Sequence, residues 1–253
     1  MPLSRSVLSV GLAACVLAAF AGCGSGSDPA GLKGTNVTGP GVTDAQLNGP
    51  DVKPDPGTFP VERDHLAQRI RLLGLPQVGT EKFHQHALLN IYYDGLLVPL
   101  ASGIGLDNKR KVFSPLHTHA QTTVPGTNIK PSPNVIHMES DKPFTATLGD
   151  FFAIWGVTFG PDHIGALKAD DGRTLRVYVN AKDGQDPKKF LIKDPATYVI
   201  KKNDKFVIVL DNGKQNIDLT PDDKPLRDAN SGKSGCSTGG KGKAPVSCII
   251  GAG

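Results

Sequence analysis

The spacing of apolar residues changes from a helical to a strand-like period near residue 80. Within the segment from Val61 to Leu73, the residues Leu66, Ile70 and Leu73 fall on one stripe, which predicts a short helix. From Phe83 to Tyr93 apolar and polar residues alternate instead, as in a half-buried strand. The Asp94-Gly95 pair then predicts a type I′ hairpin turn into a strand over Leu96 to Leu100.

Short strands with turn signals continue to about residue 213. Alternating segments run over Asn134 to Glu139, Thr174 to Asn180, Thr197 to Lys202 and Lys205 to Leu210. The last two flank an Asn203-Asp204 turn. One apolar helix interrupts them, with Thr147 as its N-cap, Asp150 at the capping-box position and Gly156 at its end. This order predicts a mainly β fold: an antiparallel β-sandwich or barrel-like domain with one or two short helices.

Composition and charge narrow the class of protein. With 38% hydrophobic and 21% charged residues, the chain is too apolar to be wholly disordered and too polar to be a multi-span membrane protein. The formal net charge is +4, and lysine and arginine form no stripe with interleaved aromatic residues. We therefore expect no nucleic-acid partner.

The N-terminus has the features of a bacterial lipoprotein signal. An apolar run over residues 7–20 precedes Ala21-Gly22-Cys23 and a Gly/Ser stretch, which resembles a lipobox whose cysteine is acylated. We expect residues 1–22 to be a signal peptide. Lipidated Cys23 would then hold the protein at the extracytoplasmic face of the cell membrane. The alternative is an ordinary signal peptide that is cleaved nearby.

The remaining chain divides into three parts by composition. Residues 23–60 are rich in Gly, Pro, Asp and Thr and predict a flexible tether after the lipidated cysteine. Residues 61–221 are predicted to form a single β-rich domain, and residues 222–253 a disordered Gly/Ser/Lys-rich tail. Cys236 and Cys248 lie in this tail. In an oxidising compartment we expect them to form a disulfide, the alternative being a soft-metal pair.

Side chains that can bind a metal recur at a spacing of two residues. Three such segments occur, the last ending in a carboxylate: His84 and His86, His117 and His119, and His137 and Glu139. In a strand, residues i and i+2 point to the same face, so each segment presents two ligand groups side by side. Met138 would then face the core beside Ile136.

The last two segments could be strands of one hairpin, with residues 120–133 as its loop. Neighbouring Cβ atoms across such strands lie about 4.5–5.5 Å apart, close enough for paired side chains to surround an ion. We therefore predict that all six side chains form a metal site. The alternative is a buried His/Glu hydrogen-bond network. For His163, in a loop after the helix, both interpretations stay open, whereas His65 is predicted to be a solvated helix residue.

Imidazole and carboxylate ligands suit Zn²⁺, Cu²⁺ or Fe²⁺. The extracytoplasmic location favours copper or zinc as the cofactor. A blue-copper centre would need a cysteine thiolate among its histidines, and none lies in the predicted domain. Because imidazole must be neutral to bind a metal and its reference pKa is near 6.5, binding is predicted to fade below about pH 6.

Several of these segments form an ordered set of motifs between Thr80 and Gly213. They are His84-Gln85-His86, Leu116-His117-Thr118-His119, Ile136-His137-Met138-Glu139-Ser140 and the apolar stretch from Leu148 to Gly156. The set resembles a family of uncharacterised secreted or lipid-anchored bacterial and archaeal proteins. That family has no established activity to carry over, so the resemblance implies a shared fold unit rather than a function.

Three functions fit these observations. The first is a lipid-anchored binding module that captures, delivers or senses a transition metal. The second is a metal-dependent hydrolase or oxidoreductase at the same site, with an open coordination position and Glu139 as general base. The third is a structural cell-surface module whose His/Glu network orders the fold. No motif names a substrate, a catalytic residue or a protein partner.

Overall fold

The computed structural model describes residues 59–78, 82–119 and 134–231. The predicted signal peptide, the lipidation site at Cys23, most of the tether and both tail cysteines, Cys236 and Cys248, lie outside the described residues. The expectations about them stay predictions.

The described chain contains short helices and mostly short strands. In chain order they are α1 (Leu66–Leu72), β1 (Phe83–Tyr93), β2 (Leu96–Val98), β3 (Leu106–Asp107), β4 (Val112–Phe113), β5 (Leu116–His117), β6 (Val135–Ser140), α2 (Leu148–Trp155), β7 (His163–Ile164), β8 (Leu167–Lys168), β9 (Thr174–Val179), β10 (Lys205–Asp211) and α3 (Lys224–Asn230). Two 3-10 helices span Pro187–Phe190 and Pro195–Thr197. Within the described ranges, no helix has the length and apolarity needed to cross a membrane.

One mixed sheet organises the fold around β1. The strand order is β5-β6-β1-β10-β9, and β2 pairs with the end of β1. The β1–β2 turn is the predicted one, because Asp94 and Gly95 both have positive φ. The other strands, β3–β4 and β7–β8, form two small antiparallel pairs outside this sheet.

The predicted β-rich fold is confirmed, but the arrangement of its strands differs in part. The described sheet is not closed into a barrel, and β1 and β10 run parallel. The strand predicted over Thr197 to Lys202 does not form. Strands β1 and β9 already occupy both edges of β10, so no position beside it remains for that segment. Val199 makes only an isolated bridge to Thr147.

Helix α2 covers one face of the sheet. Its predicted capping box is present: the Thr147 hydroxyl accepts from the Asp150 amide, and the Asp150 carboxylate accepts from the Thr147 amide. Its aromatic side chains share one apolar cluster with Ile136 and Met138, so the predicted inward orientation of Met138 is confirmed. The imidazole and carboxylate side chains of β6 therefore point to the opposite face.

The folded part is longer at both ends than the sequence predicted. Phe59, placed in the tether, is fully buried, and its carbonyl accepts a hydrogen bond from the Trp155 indole. Residues 224–230, placed in the disordered tail, form α3. The boundary at 221 is therefore too early, because Leu226 and Ala229 pack against an apolar patch on β1 and β6. Helix α3 thus lies on the face opposite α2.

Candidate metal centre

Three adjacent strands bring the predicted ligands together. In the register of the sheet, His86 of β1 lies opposite His137 of β6, which in turn lies opposite His117 of β5. Two residues along, His84 lies opposite Glu139. Because β6 is between β5 and β1, its histidine and carboxylate lie in the middle of the group.

We call these six residues the His/Glu cluster: His84, His86, His117, His119, His137 and Glu139. All of them except His84 are buried. The His84 side chain is 29% exposed, so the cluster reaches solvent beside the start of β1. A largely buried site with one accessible side would let an ion reach the ligands while it keeps most water out.

The Glu139 carboxylate lies among three imidazoles. Its Oε1 atom is 2.9 Å from Nε2 of His84 and 3.0 Å from Nδ1 of His137. Its Oε2 atom faces the other side, 3.7 Å from Nε2 of His117. The two oxygens of one carboxylate therefore face histidines of different strands.

Groups around the cluster set the proton position on two of its histidines. Nδ1 of His117 lies 3.0 Å from the Ser114 carbonyl, which can only accept, so this nitrogen carries the proton. Nδ1 of His86 lies 3.0 Å from Oδ1 of Asn230, whose amide nitrogen donates to Asn203. Both histidines therefore keep the Nε2 lone pair for another partner, as in metal sites where an outer acceptor fixes the tautomer.

Further contacts within the cluster place imidazole nitrogens close together. Nε2 of His117 and Nε2 of His119 are 3.0 Å apart. The His119 and His137 rings stack with their centroids 3.9 Å apart. Nε2 of His137 is buried and has no hydrogen-bond partner. Because an unpaired buried polar atom is costly, coordination to a metal gives a physical account of this nitrogen.

The cluster contains two overlapping sets of four ligands. One set is His84, His86, His137 and Glu139, and the other is His117, His119, His137 and Glu139. Within each set one ligand atom per residue lies within 4.8 Å of the others. A tetrahedral ion with bonds of about 2.0–2.1 Å holds its ligands about 3.3 Å apart, so a small inward movement would complete either set. The His/Glu cluster could therefore hold a metal ion.

No family model, curated protein or solved structure matches this chain. The functional assignment therefore rests on the geometry and chemistry of the site itself.

Burial keeps the four buried histidines of the cluster neutral. It lowers the pKa of His86 to about 4 and that of His119 to about 3, because a charged imidazolium would lose its hydration. Burial also lowers the pKa of His117 and of His137, where the neighbouring His119 adds to the effect. Neutral imidazole is the form that binds a metal.

The carboxylate at the centre of the cluster stays ionised. Burial alone would raise the pKa of Glu139, but His117 and the hydrogen bonds from His137 and His84 outweigh it. The pKa of Glu139 therefore lies well below its usual value. Neutral histidines around an anionic carboxylate form a ligand set whose negative charge suits a cation.

The low pKa values of the buried histidines make the stability of the metal-free protein depend on pH. In the unfolded chain the cluster histidines return to a pKa near 6.5, so between about pH 6.5 and 4 the unfolded state binds more protons than the folded state. Stability of the metal-free protein should therefore fall as the pH falls through this range. At pH 5 His86 and His119 should each lower the free energy of unfolding by about 2 kcal/mol.

The measurement is urea unfolding of chelator-treated protein at pH 7 and pH 5. His86→Gln, which cannot titrate there, should show a smaller difference between the two pH values. Equal unfolding free energies for the wild-type protein at both pH values would contradict the neutral, buried state of these histidines.

The remaining histidines of the described chain lie outside the cluster. His163 belongs to β7, and its Nδ1 is 2.8 Å from the exposed Asp162 carboxylate. His65 precedes α1 with a 47% exposed side chain, 3.3 Å from Glu62. Neither belongs to a set of potential ligands, and His65 is solvated as predicted.

Sequence reasoning missed the groups that orient the cluster, Asn230 and Ser114. Asn230 lies in the segment assigned to the tail. The start of α3 does carry a signal, since Pro225 stands in its first turn and Leu226 and Ala229 share one face. Ser114 contributes through its backbone carbonyl, which no side-chain pattern indicates.

Gly105 determines how closely the preceding loop approaches β5. A Cβ atom at this position would lie 2.6 Å from the Leu116 carbonyl oxygen and 3.1 Å from the His117 Cβ. Its φ of +75° also disfavours any other residue. Gly105→Ala should therefore displace β5, weaken metal binding and lower the free energy of unfolding.

A matched control for Gly105 is Gly213, whose φ is +76° and whose Cβ would meet nothing within 4 Å. Gly213→Ala should cost about 1 kcal/mol from backbone strain alone, and Gly105→Ala about 1–3 kcal/mol more from the steric clash. Urea unfolding and metal titration of both variants make the comparison. Equal costs would show that β5 has room for the added methyl group.

Proposed function

We propose that this protein binds a transition metal, copper or zinc, through the His/Glu cluster, for capture, delivery or sensing. The observation that carries the proposal is the register of β5, β6 and β1, which places four histidines and one carboxylate on one face of the sheet. His119, just after β5, joins them with its Nε2 atom 3.0 Å from that of His117. Histidines placed at random in the sequence would not be expected to lie opposite one another on three neighbouring strands with their side chains on the same face.

The donor chemistry supports copper or zinc. Imidazole nitrogens dominate the cluster, and one anionic carboxylate accompanies them, a combination that suits Zn²⁺ and Cu²⁺. Mg²⁺ and Ca²⁺ prefer oxygen ligands and would gain little from five imidazoles. The fixed protons on Nδ1 of His86 and His117 favour metal binding through Nε2.

We propose that the protein acts at the extracytoplasmic face of the cell membrane, held there by lipid on Cys23. Support comes from the lipobox-like Ala21-Gly22-Cys23 after an apolar run. The resemblance of its motifs to those of secreted and lipid-anchored proteins is a second reason for this proposal. A surface-anchored metal site would meet copper or zinc arriving from outside the cell.

The burial of the cluster favours a binding role. The partly exposed His84 is the cluster's accessible side chain, and the other five members are buried. A cleft of about 430 Å³ lies elsewhere, lined by residues 181–190 and 216–220, and contains none of the cluster residues. A substrate bound in that cleft would not contact the metal.

X-ray absorption at the edge of the bound metal tests the proposal. We expect nitrogen or oxygen neighbours at about 2.0–2.1 Å with outer-shell scattering from imidazole. A shell of sulfur at about 2.3 Å would place the metal on cysteines instead and contradict the proposal. A Cys236→Ser, Cys248→Ser chain should give the same spectrum as the wild-type protein.

A further inference from the structure

The order of the strands separates the two His-x-His pairs. The pair His84 and His86 is on β1, and His117 with His119 is on or just after β5, with β6 between these strands. Neighbouring strands lie about 4.8 Å apart, so β1 and β5 are separated by about twice that distance. A single ion beside one pair is therefore about two strand spacings from the strand that carries the other pair.

The middle strand supplies ligand groups to both sides. Glu139 presents Oε1 towards His84 at 2.9 Å and Oε2 towards His117 at 3.7 Å. Glu139 and His137 belong to both sets of four potential ligands, whereas each His-x-His pair belongs to one. This arrangement gives each side two histidines and one carboxylate oxygen, with His137 between them.

We propose that the His/Glu cluster holds two metal ions, one beside each His-x-His pair, bridged by the Glu139 carboxylate. This inference rests on the proposed function and adds the number of ions and the bridge to it. Ions that share ligands in this way lie about 3.5–4 Å apart, which the spacing between β1, β6 and β5 accommodates.

The pairs provide matched variants for the test. His84→Ala should remove the ion beside β1, and His119→Ala the ion beside β5, because each residue belongs to one set. The background chain carries Cys236→Ser and Cys248→Ser, so that tail thiols add no metal. Each variant is titrated with Cu²⁺ or with Zn²⁺ and freed of loosely held metal. Bound ions are then counted by non-denaturing mass spectrometry.

We expect two ions in the background chain, one in each single variant and none in the variant that combines His84→Ala with His119→Ala. One ion in the background chain would overturn the two-ion inference and leave the proposed function standing. No ion would overturn both. Loss of both ions in a single variant whose circular dichroism matches the background chain would contradict separate half-sites. Should His119→Ala fail to fold, His119→Gln replaces it.

With Cu²⁺, the two-ion inference can also be tested by a measurement that does not depend on the number of bound ions found by mass spectrometry. Two Cu²⁺ ions bridged by one carboxylate should couple magnetically, so the integrated electron paramagnetic resonance signal should fall below the copper content. In His84→Ala the remaining ion should give one spin per copper. Full spin intensity for two bound ions in the background chain would contradict the Glu139 bridge.

Discussion

Replacing His137 with alanine should abolish stoichiometric metal binding. This residue belongs to both sets of potential ligands, and its Nε2 atom is buried without a hydrogen-bond partner. Loss of an orienting group next to a metal costs about 10–100-fold in affinity, so loss of a shared ligand should cost more than about 100-fold. Titration with Cu²⁺ or Zn²⁺ followed by isothermal calorimetry measures the change.

His163→Ala is the matched control. Like His137 it lies next to a carboxylate, but it is partly exposed and belongs to neither ligand set. It should bind metal as the wild-type protein does. Full occupancy in His137→Ala, with a native circular dichroism spectrum, would show that the two sets do not share this ligand.

Adding Cu²⁺ or Zn²⁺ to the metal-free protein should raise its melting temperature strongly. A ligand that binds only the folded state, present at about 1,000 times its dissociation constant, stabilises a protein by about 4 kcal/mol. For a domain of this size each kcal/mol raises the midpoint by about 2–4 °C, so the expected shift is roughly 8–16 °C. Differential scanning calorimetry with metal and with chelator measures it.

Glu139→Gln tests whether the negative charge of this side chain, rather than its size, is needed for the metal-induced rise in melting temperature. The amide keeps the size of the carboxylate but not its negative charge, so the metal-induced shift should become much smaller. A structural His/Glu network without a metal would behave differently. In that case, chelator and metal would leave the wild-type midpoint unchanged, whichever ion is added.

Local pattern predicted individual elements better than their arrangement. The β1–β2 turn and the capped helix α2 depend on neighbouring residues, so Asp94, Gly95 and Thr147 were enough to predict them. The parallel pairing of β1 with β10 joins residues more than a hundred positions apart. Alternation of apolar residues predicts a strand and its buried face, but it contains no information about the neighbouring strand.

The ligand residues could be predicted because they too follow a local pattern. Two residues spaced by two positions in a strand point to the same face of the sheet. The sequence also indicated the pairing of the second and third segments, which the His117–His137 register matches. It did not indicate that β1 would pair with the other edge of β6, which completes the cluster. Nor did it reveal Asn230, because a helix of seven residues depends on packing against Leu88 and Val135 for its stability.

The most direct test of the central claim is the metal content of the full chain, purified without a polyhistidine tag and without added metal. Plasma mass spectrometry should find at least about one equivalent of copper or zinc, which His137→Ala should lose. Less than about a tenth of an equivalent, with no thermal shift on adding either ion, would contradict a metal site and leave the His/Glu cluster as a structural network.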